Sequence, residues 1–360
     1  MSRTPPRGSG YFRTSYAADL ALLGTRFERA CLAAFIAALA AFPFVASPFQ
    51  LDLACQVLLA CVGSLSLMLL TGYAGQISLG HAGLIAAGAF TVGILVREFN
   101  APFWITLPAA GLIGAMLGIV FGLPSLRLRG LYLAVSTLAL HFLVIYVGGE
   151  YETRRGFSTG IVIDPPKLGS ISISDGRAWY FILLAAAVAT LLLSLNLIRA
   201  RTGRAWRAIR ARETVAEALG IGIAAYKLLA FVLSSAITAV AGALFAYYRG
   251  FVSVEAFTLF LTIQYVAMVI VGGMGSLLGA VLGAAFITIF PYLIEGALMA
   301  LPGAQRFVSL LFAVNYAAFG LVMILFLVFE PLGLVGIWRR VQSYFVLWPY
   351  KHRPAAGVRR

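Results

Sequence analysis

The residues best placed to do chemistry lie in one run, Gly72-Tyr-Ala-Gly-Gln-Ile-Ser-Leu-Gly-His-Ala-Gly83, continuing to Gly88-Ala-Phe90. Gln76, Ser78 and His81 supply an amide, a hydroxyl and an imidazole between otherwise apolar stretches. No acid accompanies His81 or the isolated His141, and no nucleophile–base pair, carboxylate dyad or Glu-flanked His pair occurs with them. Cys31, Cys55 and Cys61 sit in apolar runs without metal-ligand spacing and read as buried, inert thiols. The chain has no Gly-x-x-x-x-Gly-Lys-Ser/Thr phosphate loop, so any ATP hydrolysis must come from another polypeptide. The expected chemistry is hydrogen bonding to a solute rather than bond making, with no catalytic residue, no metal and no cofactor bound by this chain.

Apolarity sets the elements that hold these groups. Of 360 residues, 61% are hydrophobic and 11% charged, and the mean hydropathy is +0.95. Soluble domains are near half apolar and a quarter charged. A soluble fold of this length could not hide so much apolar surface, whereas a bilayer is a solvent that suits it. About twenty apolar residues cross the hydrocarbon core as a helix. Ten windows qualify: 30–46, 52–70, 77–96, 103–123, 131–149, 179–198, 228–248, 257–272, 276–295 and 307–329. The expected fold is therefore an all-α polytopic membrane protein of about ten transmembrane or re-entrant helices. Glycines interrupt the third window and the stretch 257–295. The first 29 residues are polar and lack the apolar core and small-residue cleavage site of a removable signal. They read as an N-terminal tail, 30–335 as the membrane domain and 336–360 as a second tail.

Five glycines between 72 and 90 would weaken a helix, each by about 1 kcal/mol relative to Ala. Two readings compete. Transporters place substrate sites at broken helices, where freed backbone groups meet the solute. Small residues also let helices pack closely. The residues alone balance the two. A partial echo points to two related halves: Gly272-Gly-Met-Gly275 follows Gly72-Tyr-Ala-Gly75 by 200 residues, and the runs after them end in Ala285-Phe286 and Ala89-Phe90. A chain with 37 glycines can supply such a match by chance. The candidate path residues are Gly72, Tyr73, Gly75, Gln76, Ser78, His81, Gly272 and Gly275.

Charge placement orients the spans. With ten spans and an inner N-terminus, 20 of the 27 basic residues fall in inner segments, against five of the 13 acids. That is the positive-inside pattern, and it accounts for the net charge of +14 without nucleic acid. Both termini are expected in the cytoplasm. Two hydrophilic stretches remain. The outer one, 150–178, reads as an external loop, with alternating Ile and Ser at 170–174 favouring a short hairpin that could touch an extracytoplasmic partner. The inner one, 199–227, contains a pattern for a single amphipathic helix over about 204–219. Ala208, Ala211, Val215 and Leu219 form one face, Arg204, Arg207 and Arg210 recur at i, i+3, and Gly220 is a helix stop. Such a helix could rest on anionic headgroups. Glu213 and Glu217 gain nothing there, which favours a protein-docking role.

Segments 72–90 and 203–220, with Lys227-Leu-Leu-Ala-Phe231, Ala241-Gly-Ala-Leu244 and Val269-Ile-Val-Gly-Gly-Met-Gly-Ser-Leu-Leu-Gly279, resemble the branched-chain amino-acid ABC transporter permease family. The resemblance covers about residues 50–335 and is closer to the longer of its two permease types. It implies a second permease subunit, two cytoplasmic ATPases that bind the ATP, an extracytoplasmic solute-binding protein and a bacterial inner membrane. It also implies that Glu213–Gly220 is the ATPase-coupling motif, with Glu213, Glu217, Ala218 and Gly220 joined by Arg207 and Arg210. Relatives importing urea or short amides keep the solute open. An ion-coupled secondary transporter is the remaining alternative, but Asp52, Glu255, Glu295 and Glu330 fall near span ends rather than deep within them.

Overall fold

The computed structural model describes residues 26–126, 130–157, 160–168, 171–172, 175–300 and 311–347. Arg127, Arg129 and most of both tails lie outside them. Residues 1–52 and 53–360 form separate compact units.

In the first unit, α1 spans Arg26–Val45. Ser47 then starts α2, Pro48–Leu67. Its backbone N–H donates to Gln50 Oε1 at 3.0 Å and its Oγ accepts the Gln50 N–H at 3.4 Å. Pro48 occupies the first helical position, where a missing N–H costs nothing.

In the second unit, α2 runs into a π-helical turn, Met68–Tyr73. Irregular chain follows to Gly80. The helices after it are α3 (His81–Phe99), α4 (Phe103–Ser125) and α5 (Leu131–Arg155). Beyond the outer loop come α6 (Gly176–Arg199), α7 (Arg201–Ala211), α8 (Glu213–Ala218) and α9 (Ile223–Arg249). A short 3₁₀ turn at Val254–Ala256 precedes α10 (Leu259–Gly272), and then come α11 (Leu277–Met299), α12 (Leu311–Phe329) and α13 (Gly333–Leu347).

Eight helices among the described residues are long and apolar enough to cross a membrane; α12 and α13, bent by 52°, would make a ninth span. The apolar part of α1, Ala30–Val45, is shorter. Every expected span falls on a helix over most of its length, with positions 307–310 of the last outside the described residues, so the chain is an α-helical polytopic membrane protein. Three details differ from the expectation. The third span begins at His81, because residues 75–80 do not continue a helix. The tail expected from residue 336 starts inside α13. The loop between α5 and α6 holds the expected hairpin, β2 (Lys167–Leu168) with β3 (Ile171–Ser172), and also an unforeseen strand β1 (Ile161–Val162), which pairs with β4 (Phe251–Val252) just after α9.

The core is α9 crossing α3 and α4. A Cβ at Gly88 would collide with the Ala239 carbonyl oxygen, and one at Gly242 with that of Ile85. The bare backbones of α3 and α9 therefore touch, as small residues allow where hydrophobicity gives no drive between helices. Hydroxyls link the spans further: Ser66 Oγ lies 2.8 Å from Thr238 Oγ1, Ser234 Oγ donates to the Ser66 carbonyl at 2.9 Å, and Ser64 Oγ donates to that of Ala280 at 3.1 Å.

Candidate functional site

The break between α2 and α3 begins where the π-turn changes register. Gly75 takes φ +72°, a left-handed conformation open to glycine, and its α-carbon faces the Arg210 side chain, so an added Cβ would lie 3.1 Å from Cγ. Gln76 is 3% exposed. Its Nε2 donates to the Lys227 carbonyl at 3.1 Å, while its Oε1 has no partner among the described residues. Ser78 is buried and its Oγ accepts the Gly80 N–H at 3.3 Å. Thr137 and Thr262 satisfy the first free donors of the restart, accepting the Leu79 and Ala82 N–H groups at 2.8 and 3.0 Å. His81 is buried with its ring 4.7 Å from that of Tyr265, and its Nε2 is also unpartnered.

A second break, between α10 and α11, meets the first. The Gly275 N–H, where φ is +90°, points at Met68 Sδ at 3.2 Å, and a Cβ on Gly72 would lie 3.1 Å from the Gly275 nitrogen. The Tyr73 phenol is hydrogen-bonded to the Leu277 backbone at the start of α11. The two glycine motifs that echo in sequence therefore touch in space at Gly72 and Gly275. Gly272 does different work, packing its backbone against Gly279 and Gly283.

The inner stretch departs from the single helix expected over 204–219. Arg212, at φ −159° and ψ 114°, breaks it into α7 and α8. The face of Ala208, Ala211, Val215 and Leu219 presumed continuous winding, which the break destroys. Trp206, Ile209 and Ala216 are buried instead, while Val215 and Leu219 are 50% and 73% exposed. Trp206 anchors α7 among Leu69, Leu70, Ala74, Ala230 and Phe231, with its Nε1 donating to the Tyr226 carbonyl at 2.9 Å. Burying an indole of about 150–250 Å² is worth about 4–6 kcal/mol at about 25 cal/mol per Å².

Two polar braces join this inner element to the first break. From α7, Arg210 Nη1 donates to the Gly72 carbonyl, an acceptor in the π-turn. From α8, Glu213 pairs with Lys227 at 2.5 Å, and the Lys227 carbonyl is the group that holds Gln76. Path and coupling candidates thus meet, with Gly72, Gly75, Gly275 and Arg210 in one cluster and Gln76 tied to Glu213 through Lys227. The remaining coupling candidates face outward. Arg207, Glu217, Ala218 and Gly220 are exposed, and Gly220 ends α8 at φ +79° as a stop should. Beside α8 an open depression of about 680 Å³ is lined by residues including Leu126, Glu217, Ile221 and Lys227. Sequence reasoning passed over Met68, Trp206 and Tyr265, and gave Lys227 no role beyond its place in the family resemblance. Only Trp206 carried a signal, as a large apolar residue inside an Arg-rich helix.

No solved structure matches the chain significantly. High-affinity branched-chain amino acid transport system permease proteins LivM of Salmonella typhimurium and Escherichia coli are each 32% identical over 286 residues, covering 73% of this chain and 67% of theirs. The probable branched-chain amino acid transport permease protein LivM of Methanocaldococcus jannaschii is 29% identical over 323 residues, covering 76% of this chain and 89% of its own length. The profile of one family, described as the permease component of the branched-chain amino acid transport system, matches residues 49–328, which hold both breaks and the braced inner element. With that coverage, and with relatives 32% identical, this chain belongs to the branched-chain amino acid transport permease family.

Proposed function

We propose that this chain is the membrane-spanning subunit of an ATP-driven importer that carries branched-chain or related amino acids across a bacterial inner membrane. It works beside a second permease subunit, with two ATPases on the cytoplasmic side and a binding protein outside, and both termini are cytoplasmic. Relatives named for branched-chain amino acid transport support the choice of solute. The observation that carries the coupling is the pair of braces, Arg210 to the Gly72 carbonyl and Glu213 to Lys227 beside Gln76. A displacement of α7 and α8 would pull directly on the segment where α2 breaks. A buried amide oxygen on Gln76 and a buried ring nitrogen on His81, both lacking partners among the described residues, support a segment completed by water, solute or a neighbouring subunit.

The faces of α8 divide the labour. Glu213 pairs with Lys227 and Glu217 is exposed, both in the lining of the depression, and Val215 and Leu219 are exposed as well. A short helix that displays both apolar and acidic side chains suits a protein partner better than a lipid headgroup layer, which repels acids. Glu217→Lys with Val215→Asp should leave the subunit at normal abundance in the membrane. The ATPases should be lost on detergent purification and uptake should fall more than tenfold, a like-charge contact at an interface costing several kcal/mol. Retained ATPases with normal uptake would remove the docking role.

A further inference from the structure

Far along α9 from the braces lies an unassigned cavity. Lys227 and Arg249 are separated by about 33 Å at 1.5 Å per helical residue, and Arg249 lines a cavity of about 330 Å³ in the second unit. That volume is at the lower end of small-molecule sites, about 300–1,000 Å³. Leu59, Phe245, Leu261 and Ile287 give it an apolar wall, and Gln56, Gln264 and Thr288 bring uncharged polar groups. Tyr292 holds Gln56, donating from its hydroxyl to Oε1 at 3.2 Å. Arg249 is the only charged residue of the lining, no carboxylate lines the cavity, and Arg249 forms no ion pair among the described residues. The cavity also touches the first break, because Tyr265 in its wall lies with its ring 4.7 Å from that of His81, the first residue of α3.

We propose that this cavity holds the imported amino acid on its way through the membrane, with Arg249 taking its carboxylate and the apolar wall its side chain. The proposal rests on the import reading and adds a place and a chemistry to it. Arg249 meets the carboxylate with charge-assisted hydrogen bonds. The apolar wall takes the side chain. The ammonium group is left to amide and hydroxyl oxygens, which is enough for one cation beside its own carboxylate. A second cation, as in lysine, would face Arg249 with no acid to offset it. A second carboxylate would sit against hydrocarbon, which is costly. A neutral amide would forgo the charge-assisted hydrogen bonds to Arg249.

The test places one cysteine in the cavity, Thr288→Cys, after Cys31, Cys55 and Cys61 are replaced by alanine, and uses the full complex in proteoliposomes. A small water-soluble thiol reagent should label residue 288. Saturating leucine should slow labelling at least tenfold, while leucinamide and lysine leave it unchanged. Adding Arg249→Gln should raise the leucine concentration needed for protection roughly ten- to a hundredfold, the loss of a hydrogen bond to a charged group, and Arg249→Lys should restore part of it. Labelling that leucine does not slow, or a cysteine that never reacts because the cavity is closed or filled with lipid, would overturn the proposal if the same complex still takes up leucine. A complex without any leucine uptake removes the import reading and the proposal together.

Discussion

Arg210 is the residue on which the coupling account turns. Its guanidinium reaches the Gly72 carbonyl 138 positions away in sequence, and its aliphatic stem covers Gly75. Loss of a charge-assisted hydrogen bond costs about 1.5–3 kcal/mol. Arg210→Met keeps the stem's packing and removes the brace, so ATPases should still copurify while ATP hydrolysis no longer drives uptake. Measuring both rates on one preparation checks this, and parallel loss of the two would point to simple misfolding. Half of this cluster was legible in the sequence. Glycines and polar groups interrupting an apolar run marked Gly72–Gly83, because such residues are costly in lipid. The Arg210–Gly72 and Glu213–Lys227 pairings were not legible, since neither has a periodicity or spacing that announces a tertiary contact.

At the scale of elements, apolar length made the helices readable and small residues made their crossing possible. The crossing of α3 and α9 at Gly88 and Gly242 leaves no room for a side chain. Gly88→Val should force the helices apart and, as with severe overpacking, cost about 3 kcal/mol or more. The expected readout is low membrane abundance and early loss of the subunit on heating in detergent. A conservative exposed change such as Leu112→Ile, on the outer side of α4, should leave both unaffected. The inner helix shows where local reading stops. Ala211-Arg-Glu-Thr214 contains no helix breaker, yet the chain breaks at Arg212 because Trp206 docks α7 in one direction and Lys227 holds α8 in another. Docking overrode propensity, as tertiary contacts do. The consequence is that Val215 and Leu219 are displayed outward rather than packed.

For the whole molecule, α8, held at Lys227, and the cavity at Arg249 lie toward opposite ends of α9. Reporter fusions at 165 should read outside and those at 212 and 355 inside; fusions at 165 and 212 on the same side would contradict the layout. The central claim is that ATP, spent on partner subunits, drives solute through this chain. The most direct measurement is uptake of labelled leucine into proteoliposomes holding this chain, its partner permease, the ATPases and the binding protein, with a protonophore present throughout. The account predicts uptake that requires ATP on the side of α7 and α8, is unchanged by the protonophore, and disappears with Glu217→Lys and Val215→Asp. Leucine uptake that needs no ATP and collapses with the proton gradient would contradict it.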